Sequence, residues 1–325
     1  MRDEGRGTAF CLSRFLTFSL SHLPTLPPFR PVTYDVPMLC CEPITLRYSD
    51  GYEGFARLWC PVKPRGAVLY LHGIQSHGGW FERSAAYLAE AGFVVLLPDR
   101  RGSGRNQRDR GHVSGPRRWL LDGVECLNEL HVRTGFTRFH IVGVSWGGKL
   151  ALALHRYAPG RIAGLSLIAP GLFPRVDLPF REKMRVAWSM IAARRTLFEI
   201  PLNEPELFTD TPAWRLFIQG DPLRLRQVTA AFLVSSRRLD RYVLGLARGH
   251  SGCPLHLFLA GRDQIIDNAA TKAFVRGLNW PLAQITEYES ACHTLEFEPD
   301  PGAFFDALAA SAGGIASPIS PARPC

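Results

Sequence analysis

Residues 139–154, FHIVGVSWGGKLALAL, indicate the fold class and contain the first candidate functional residue. Its first half is a short apolar run, typical of a strand buried on both faces. Its second half is rich in alanine and leucine and predicts a helix. Between them, Gly143-Val144-Ser145-Trp146-Gly147 forms a G-x-S-x-G pentapeptide. In a strand-to-helix context this pattern indicates a sharp turn that exposes a nucleophilic serine, Ser145, and larger side chains at the two glycines would collide.

Other short apolar segments flank this one and alternate with helical patterns. Such alternation predicts an α/β fold with a mostly parallel central sheet, helices on both faces, and ligand binding beyond the carboxyl ends of the strands. The predicted strands are 43–49, 53–60, 67–71, 93–97, 139–144, 165–169, 255–260 and 283–288, and the predicted helices are 80–91, 117–133, 146–157 and 301–310.

Segment 171–250 breaks the alternation. It is helical by composition and rich in arginine and bulky apolar residues, so we interpret it as a helical cap inserted into a core formed by residues 38–170 and 251–310. Residues 1–37 are expected to be a disordered extension, or to precede the true start at Met38. A targeting segment is the alternative, because an apolar run follows two early arginines. The small, Gly- and Pro-rich tail, 311–325, is expected to be disordered.

The acid and base that a nucleophilic serine requires should follow later strands. Asp263 comes three residues after predicted strand 255–260, and we favour it over Asp267, which directly precedes a helical pattern and fits a helix N-cap. His293 follows the last predicted strand and is the expected base, whereas the alternative, His250, precedes a strand. The chain order Ser145, Asp263, His293 fits nucleophile, acid and base on a sheet of this kind.

The turn His72-Gly73-Ile74 directly follows predicted strand 67–71. A backbone N–H at this point would lie opposite the serine turn, so we expect the N–H groups of Ile74 and Trp146 to form an oxyanion hole. The alternative is a structural turn in which His72 only bonds to backbone. This chemistry needs neither a metal nor an organic cofactor.

These segments resemble the α/β-hydrolases of the monoacylglycerol lipase and lysophospholipase group, which serine aminopeptidases also resemble. The resemblance covers about residues 43–310 outside most of the cap. It implies an α/β-hydrolase fold and an acyl-enzyme formed on Ser145. The chain departs from the group at Val144 and Trp146, where members often carry His and Met, and we expect the indole to narrow the acyl site. The segments that match are 72–74 with 77–81, 99–104, 110–113, and the serine turn with Asp263 and His293.

Composition limits the partners. The 325 residues carry a formal net charge of +9, and no apolar run approaches the ~20 residues of a membrane-spanning helix. Seven arginines fall in 100–118. We favour a solvated loop for this run over attraction to a phosphate-bearing substrate or an anionic membrane, and the lack of interleaved aromatics speaks against nucleic acid. None of the eight cysteines forms a C-x-x-C pair. This favours a reducing, cytoplasmic location and speaks against a structural metal. The expected location includes peripheral contact with a membrane as an option.

The expected function is therefore that of a serine hydrolase acting on a small-molecule ester, either monoacylglycerol- or lysophospholipid-like or a medium-chain acyl ester. Three alternatives stay open. One is a serine aminopeptidase or amidase that uses the same three residues, and another is transfer of the acyl group to an alcohol instead of water. The third is a non-catalytic ligand-binding protein on a hydrolase fold. The sequence carries no signal for an oligomeric state.

Overall fold

In the computed structural model, which describes residues 41–246 and 252–314, strands and helices alternate along most of the chain. The strands are β1 (Cys41–Arg47), β2 (Glu53–Trp59), β3 (Gly66–Leu71), β4 (Phe93–Pro98), β5 (Phe139–Val144), β6 (Ile162–Ile168), β7 (Leu197–Glu199), β8 (Gln227–Thr229), β9 (Leu255–Ala260) and β10 (Ala283–Tyr288). The helices are α1 (Glu82–Glu90), α2 (Pro116–Thr134), α3 (Trp146–Tyr157), α4 (Phe180–Ala192), α5 (Pro212–Gly220), α6 (Ala230–Leu244), α7 (Asn268–Gly277) and α8 (Gly302–Gly313).

Eight of these strands form one sheet in the order β1-β2-β4-β3-β5-β6-β9-β10. Strand β2 is antiparallel to both of its neighbours, and all other pairs are parallel. The predicted α/β fold with a mostly parallel sheet is thus confirmed. Strand β5 lies between β3 and β6, and its Gly143 stands opposite Leu71 and Leu167. The residues that follow β5 therefore emerge beside the end of β3.

The centre of the sheet shows why its strands read as continuous apolar runs. Every residue of β4, β5 and β6 is buried, so neither face requires the alternation of a half-exposed strand. Helix α3 is buried from Trp146 to His155. A strand and a helix that are both buried on all sides hold the turn between them in a rigid setting.

The segment between β6 and β9 contains α4, α5 and α6, together with β7 and β8, which pair antiparallel. Only helices were predicted there, because strands of three residues are too short to produce a periodic pattern. Helix α8 ends at Gly313, three residues beyond its predicted end and inside the predicted disordered tail. The predicted extension 1–37, the tail from 315 and the rival His250 lie outside the described residues.

Two further observations bear on the setting of the protein. Within residues 41–246 and 252–314, no helix is long and apolar enough to cross a membrane. Cys60 is disulfide-bonded, which departs from the reduced cysteines that we expected. Cys126 is a buried thiol, and burial raises its pKa to about 12, so this side chain behaves as a small hydrophobe.

Candidate active site

Ser145 occupies a strained turn between β5 and α3. Its backbone has φ +51° and ψ −120°, a region that non-glycine residues adopt only where the surroundings enforce it. Three hydrogen bonds hold it there. The N–H of Ser145 donates to Ile168 O over 2.8 Å, and its carbonyl accepts from the N–H groups of Gly148 and Gly171 over 2.9 and 2.7 Å. The turn therefore presents a half-buried hydroxyl at the carboxyl end of the sheet.

The two glycines of the pentapeptide are needed for different contacts. A Cβ on Gly143 would lie 2.7 Å from Gly147 O, so the strand could not approach the start of the helix. A Cβ on Gly147 would lie 2.2 Å from Leu71 O and 2.7 Å from His72 O. Gly147 therefore allows α3 to pack directly onto the end of β3, which brings the His72 turn beside Ser145.

Asp263 and His293 form a buried hydrogen-bonded pair. His293 Nδ1 lies 2.8 Å from Asp263 Oδ2, while Asp263 Oδ1 accepts from the N–H groups of Ile265 and Ile266 over 2.8 and 2.9 Å. A carboxylate held in this way keeps the proton of a neutral imidazole on Nδ1 and leaves Nε2 as the acceptor. Asp267 instead caps α7 by accepting from Ala270 N. The structure thus places Asp263, rather than Asp267, against His293.

His293 Nε2 is buried and makes no hydrogen bond within the described part of the chain. The same residues show no hydrogen bond from Ser145 Oγ to this nitrogen. Such contacts are often long in the absence of a ligand and tighten in the complex. An unpartnered ring nitrogen in a polar pair is the state required of a base that awaits the proton of a nucleophile.

The turn after β3 is held by Arg100, which belongs to the arginine run and to the matching segment 99–104 but was given no role from the sequence. Arg100 Nη1 donates to Gly73 O and Nη2 to Ile74 O, each over 2.8 Å, and His72 Nδ1 also lies 2.8 Å from Gly73 O. Because a trans peptide places its C=O and N–H on opposite sides, fixing Gly73 O fixes the direction of the Ile74 N–H. The signal in the sequence was the position of Arg100 two residues after the end of a buried strand.

His72 is neutral in this arrangement. Burial, followed by the charge of Arg100, holds the pKa of His72 well below its usual range. Its Nε2 accepts from the Arg100 N–H over 2.8 Å, so its Nδ1–H is the donor to Gly73 O. His72 thus bonds to backbone, as in the alternative that we weighed, although Ser103 Oγ also lies 3.2 Å from its Nε2. Among the described residues, none accepts a hydrogen bond from the Ile74 N–H.

The indole of Trp146 is buried rather than extended across the site. Its ring packs edge-on against Trp119 at 4.7 Å between centroids and lies 5.7 Å from Phe232. The guanidinium of Arg100 sits 4.7 Å above it, and its Nε1 donates to Ser236 Oγ over 2.9 Å. Most of the bulk that we expected to narrow the acyl site is therefore taken up by core packing.

A cavity of about 530 Å³ begins at Ser145. Ile74 and Trp146 also line it, so the nucleophile and both expected oxyanion donors meet in one space. The segment between β6 and β9 supplies most of the remaining wall, which supports our proposal that this segment caps the site. No cluster of three or more His, Cys, Asp or Glu side chains in residues 41–246 and 252–314 could hold a metal ion. Apolar contributors to the wall are Val176, Leu178, Val186, Ile200, Leu202, Leu233, Val234, Ile265 and Ile266.

Glu296 lies in the short turn that follows His293 and is buried at 2% exposure. The N–H of Ser84 donates to its Oε1 over 3.0 Å, while its Oε2 makes no hydrogen bond within the described residues. Burial raises the pKa of Glu296 to about 7, against the opposing effect of hydrogen bonding to Ser84. A carboxyl that resists ionisation thus packs beneath the loop that carries the candidate base.

Comparison with known proteins agrees with this geometry. A family model described as "Serine aminopeptidase, S33" matches residues 62–300. Human monoglyceride lipase is 28% identical over 123 residues, which is 38% of this chain and 41% of that protein. Phospholipase YtpA of Bacillus subtilis is 22% identical over 74% of this chain and 93% of its own length. The match thus spans about two fifths of the human relative.

Among solved structures, the monoacylglycerol lipase of Paleococcus ferrophilus superposes with a TM-score of 0.72 at 20% sequence identity. The superposition covers 80% of this chain and 98% of that one. At this level of identity the likeness shows the fold, and the predicted α/β-hydrolase fold is confirmed.

Substituting each of the two candidate acids, Asp263 and Asp267, by asparagine distinguishes their roles. We expect Asp263→Asn to lower the rate at which a serine-reactive fluorophosphonate labels Ser145 by about 10³–10⁴-fold, because an amide no longer fixes the imidazole tautomer. Asp267→Asn should leave that rate within about twofold, since asparagine caps a helix as well as aspartate does. A labelling rate that depends on Asp267 and not on Asp263 would contradict the pairing.

Glu296 makes a second, pH-dependent prediction. Its pKa is about 7 in the folded protein and near 4.5 unfolded, so the folded state binds more protons between these values. The free energy of unfolding should therefore fall as the pH rises from about 4.5 to 7, by up to about 3 kcal/mol from this group. Denaturant titrations should show that fall flattened in Glu296→Gln but kept in the exposed control Glu289→Gln. Parallel curves for wild type and Glu296→Gln would refute the assignment.

Proposed function

The chain belongs to the serine aminopeptidase S33 family of α/β-hydrolases, and on that premise we propose that it is a serine hydrolase that cleaves carboxylic esters. One observation carries the proposal. Beyond the carboxyl end of the sheet, a strained serine opens onto a cavity, and the same sheet edge carries a buried Asp263–His293 pair whose outer nitrogen makes no hydrogen bond within the described residues.

In the proposed reaction, Ser145 Oγ attacks the ester carbonyl carbon while its proton passes to His293 Nε2. Asp263 stabilises the imidazolium that forms. The N–H groups of Ile74 and Trp146 donate to the negative oxygen of the tetrahedral intermediate. The C–O bond to the alcohol then breaks, and His293 returns the proton to the leaving oxygen. Water, activated in turn by His293, releases the acid and restores the serine.

The substrate class follows from the cavity and the relatives together. A largely apolar cavity of about 530 Å³ lies within the range of sites that enclose small molecules. The names of two relatives point to monoglycerides and phospholipids as substrates of those proteins. We propose a monoacylglycerol- or lysophospholipid-like ester, or another ester with a medium-length acyl chain.

A peptidase acting on the same residues is the alternative that the family description raises. An aminopeptidase needs acidic groups that are available for the substrate's ammonium. The cap acids that could serve do not line the cavity, and the two carboxylates that do, Asp177 and Asp240, are each engaged by lysine and arginine side chains. These observations favour the ester. The cap acids in question are Glu182, Glu199, Glu204, Glu206 and Asp210.

A series of p-nitrophenyl esters from acetate to palmitate tests the proposal. We expect turnover with an optimum at medium chain length, because a longer chain would extend beyond the apolar wall of the cavity and gain no further burial. Ser145→Ala should reduce turnover to the uncatalysed rate, and Ser114→Ala, an exposed serine outside the site, should match wild type. Turnover that survives in Ser145→Ala, or a folded wild type that hydrolyses aminoacyl amides but no ester, would overturn the assignment.

We also propose that the protein makes peripheral contact with an anionic membrane through helix α4, rather than through the arginines of 100–118. Most of those arginines bond internally: Arg101 and Arg118 pair with Asp122, and Arg110 donates to backbone carbonyls. Helix α4 instead exposes a stripe of large apolar side chains at spacings of four, four and three residues. The stripe consists of Phe180, Met184, Trp188 and Ile191, exposed at 56–83%.

Charge at this helix fits an anionic surface. Arg181 and Arg185 lie on α4 and Arg194 follows it, and all three are exposed. Arg185 also pairs with Glu182 and Arg194 donates to Ser114 O, whereas Arg181 makes no ion pair within the described residues. The opposite side of the helix, with Val186 and Ser189, is buried. An apolar stripe beside basic residues is the pattern of a helix that lies in a membrane interface, and Val186 places this one next to the cavity.

Vesicle co-sedimentation tests this contact. The double variant Trp188→Ser/Ile191→Ser should reduce binding to vesicles of phosphatidylglycerol and phosphatidylcholine by at least about tenfold, because two apolar side chains no longer insert. Val132→Ser removes an equally exposed side chain from α2 and should bind as wild type does. Equal binding by both variants would contradict a role for the stripe.

A further inference from the structure

One wall of the cavity carries a chain of alternating charges that the proposed reaction does not use. It begins at Lys149, whose Nζ lies 2.5 Å from Asp240. Arg237 lies 3.8 Å from the other oxygen of Asp240 and 2.7 Å from Asp177. Lys183 completes the chain, 2.7 Å from the same Asp177 oxygen. All five side chains line the cavity, and we call them the charged wall.

Positive charge is in excess on this wall. Three cations share two carboxylates, so each carboxylate is divided between two partners. Arg238 and Arg241, on the same helix as Arg237, also line the cavity, and neither forms an ion pair within the described residues. Five cations against two acids leave three positive charges around an otherwise largely apolar space.

Both carboxylates are already engaged by cations of the wall, so the excess of positive charge is left uncompensated. Burial raises the pKa of Asp177, but hydrogen bonds from Lys183 and Leu178 and the charge of Arg237 outweigh it and hold the pKa below its usual value. Asp240 accepts from Lys149, which is itself buried on α3. Neither acid has capacity to neutralise a further cation.

The wall starts close to the nucleophile. Lys149 follows Ser145 by four residues on α3, and one helical turn rises about 5.4 Å. Lys149 Nζ and Trp146 Nε1 both donate to Ser236 Oγ, over 3.3 and 2.9 Å. An ester that reaches Ser145 therefore extends along this wall, within range of its charges.

A cleft with low-dielectric walls strengthens the electric field of unpaired cations. A neutral acyl chain or glyceride gains no binding energy from this field. A phosphate or carboxylate gains from both the field and the hydrogen bonds, because guanidinium and ammonium groups bind such anions with charge-assisted donors. A free amine would be repelled. The geometry therefore discriminates substrates by charge rather than by length alone.

We propose that this site selects esters that carry an anionic group, a phosphate or a carboxylate, and that the anion binds beside Arg237 where it completes the charged wall. The inference rests on the proposed ester hydrolysis and names its substrate class. The shared chemistry admits two sources, the phosphate of a lysophospholipid-like ester and the terminal carboxylate of an acyl chain.

Two matched pairs of substrates distinguish these sources. The first pair is 1-acylglycerol and 1-acylglycerol 3-phosphate of equal chain length, and the second is p-nitrophenyl octanoate and the mono-p-nitrophenyl ester of octanedioic acid. We expect a higher kcat/KM for the anionic member of at least one pair, and a preference that shrinks as salt is raised, because screening weakens partly exposed charges. Preference for the neutral member of both pairs overturns the proposal.

Variants of Arg237 assign the effect to the wall. Arg237→Gln should lower the ratio of kcat/KM for anionic over neutral substrate by about fivefold, the factor that the loss of one partly exposed ion pair predicts. Arg237→Lys keeps the charge and should restore most of the ratio. Arg276→Gln removes an exposed arginine of α7 that does not line the cavity and should leave the ratio at the wild-type value. Equal ratios in Arg237→Gln and wild type refute the assignment.

Binding to Ser145→Ala separates this inference from the proposed function. By calorimetry, Ser145→Ala should bind octyl phosphate or octanoate more tightly than octanol. Adding Arg237→Gln to the same variant should remove this difference in affinity. Anion binding without any ester turnover would support the proposal that the charged wall binds anions and would contradict the proposed ester hydrolysis. Ester turnover with no preference for anionic ligands, in kinetics and calorimetry alike, would contradict selection by the charged wall and would leave the proposed ester hydrolysis intact.

Discussion

The structure depends on the close contact between the start of α3 and the end of β3. Gly147 lies so near to Leu71 O that no side chain fits between them, and this contact forces the backbone of Ser145 into a conformation with positive φ. The strain is stored where strand and helix are both buried and cannot relax. The nucleophile, the Trp146 N–H and the turn that carries the Ile74 N–H are consequently brought together by this packing and by the hydrogen bonds that hold Ser145 and Gly73.

Electrostatics then set the direction of the groups that packing has gathered. Arg100 orients the Gly73–Ile74 peptide, and its charge together with burial keeps His72 neutral. On the other side of the site, one carboxylate oxygen of Asp263 accepts from two backbone N–H groups, and the other is hydrogen-bonded to His293. The carboxylate of Asp263 is thus satisfied by backbone as well as by His293, whereas the guanidinium of Arg100 donates to two backbone carbonyls and lies over the Trp146 ring. Such charges orient the groups that lie beside them.

The parts of this site that follow a strand could be predicted from sequence, and the parts that span segments could not. Ser145, Asp263 and His293 each come within a few residues of a short apolar run, so the sheet edge that gathers them can be deduced from chain order. The charged wall joins α3, the start of the cap and α6, and no local pattern predicts its two contacts between residues 60 and 91 positions apart. Strands β7 and β8 could not be predicted for a related reason, because three residues are too few to show an alternating hydrophobic pattern.

The cavity wall shows how a largely apolar site can hold charge without becoming a salt-bridge cluster. Complete pairing of its cations would make the wall a structural element, indifferent to ligand, and often no more stable than apolar packing. Absence of carboxylates would leave Lys149 buried beside the nucleophile at a high desolvation cost. Sharing two acids among three cations lies between these limits. It makes burial tolerable while keeping a net positive field, and that imbalance, rather than any single residue, is what an anionic substrate would recognise.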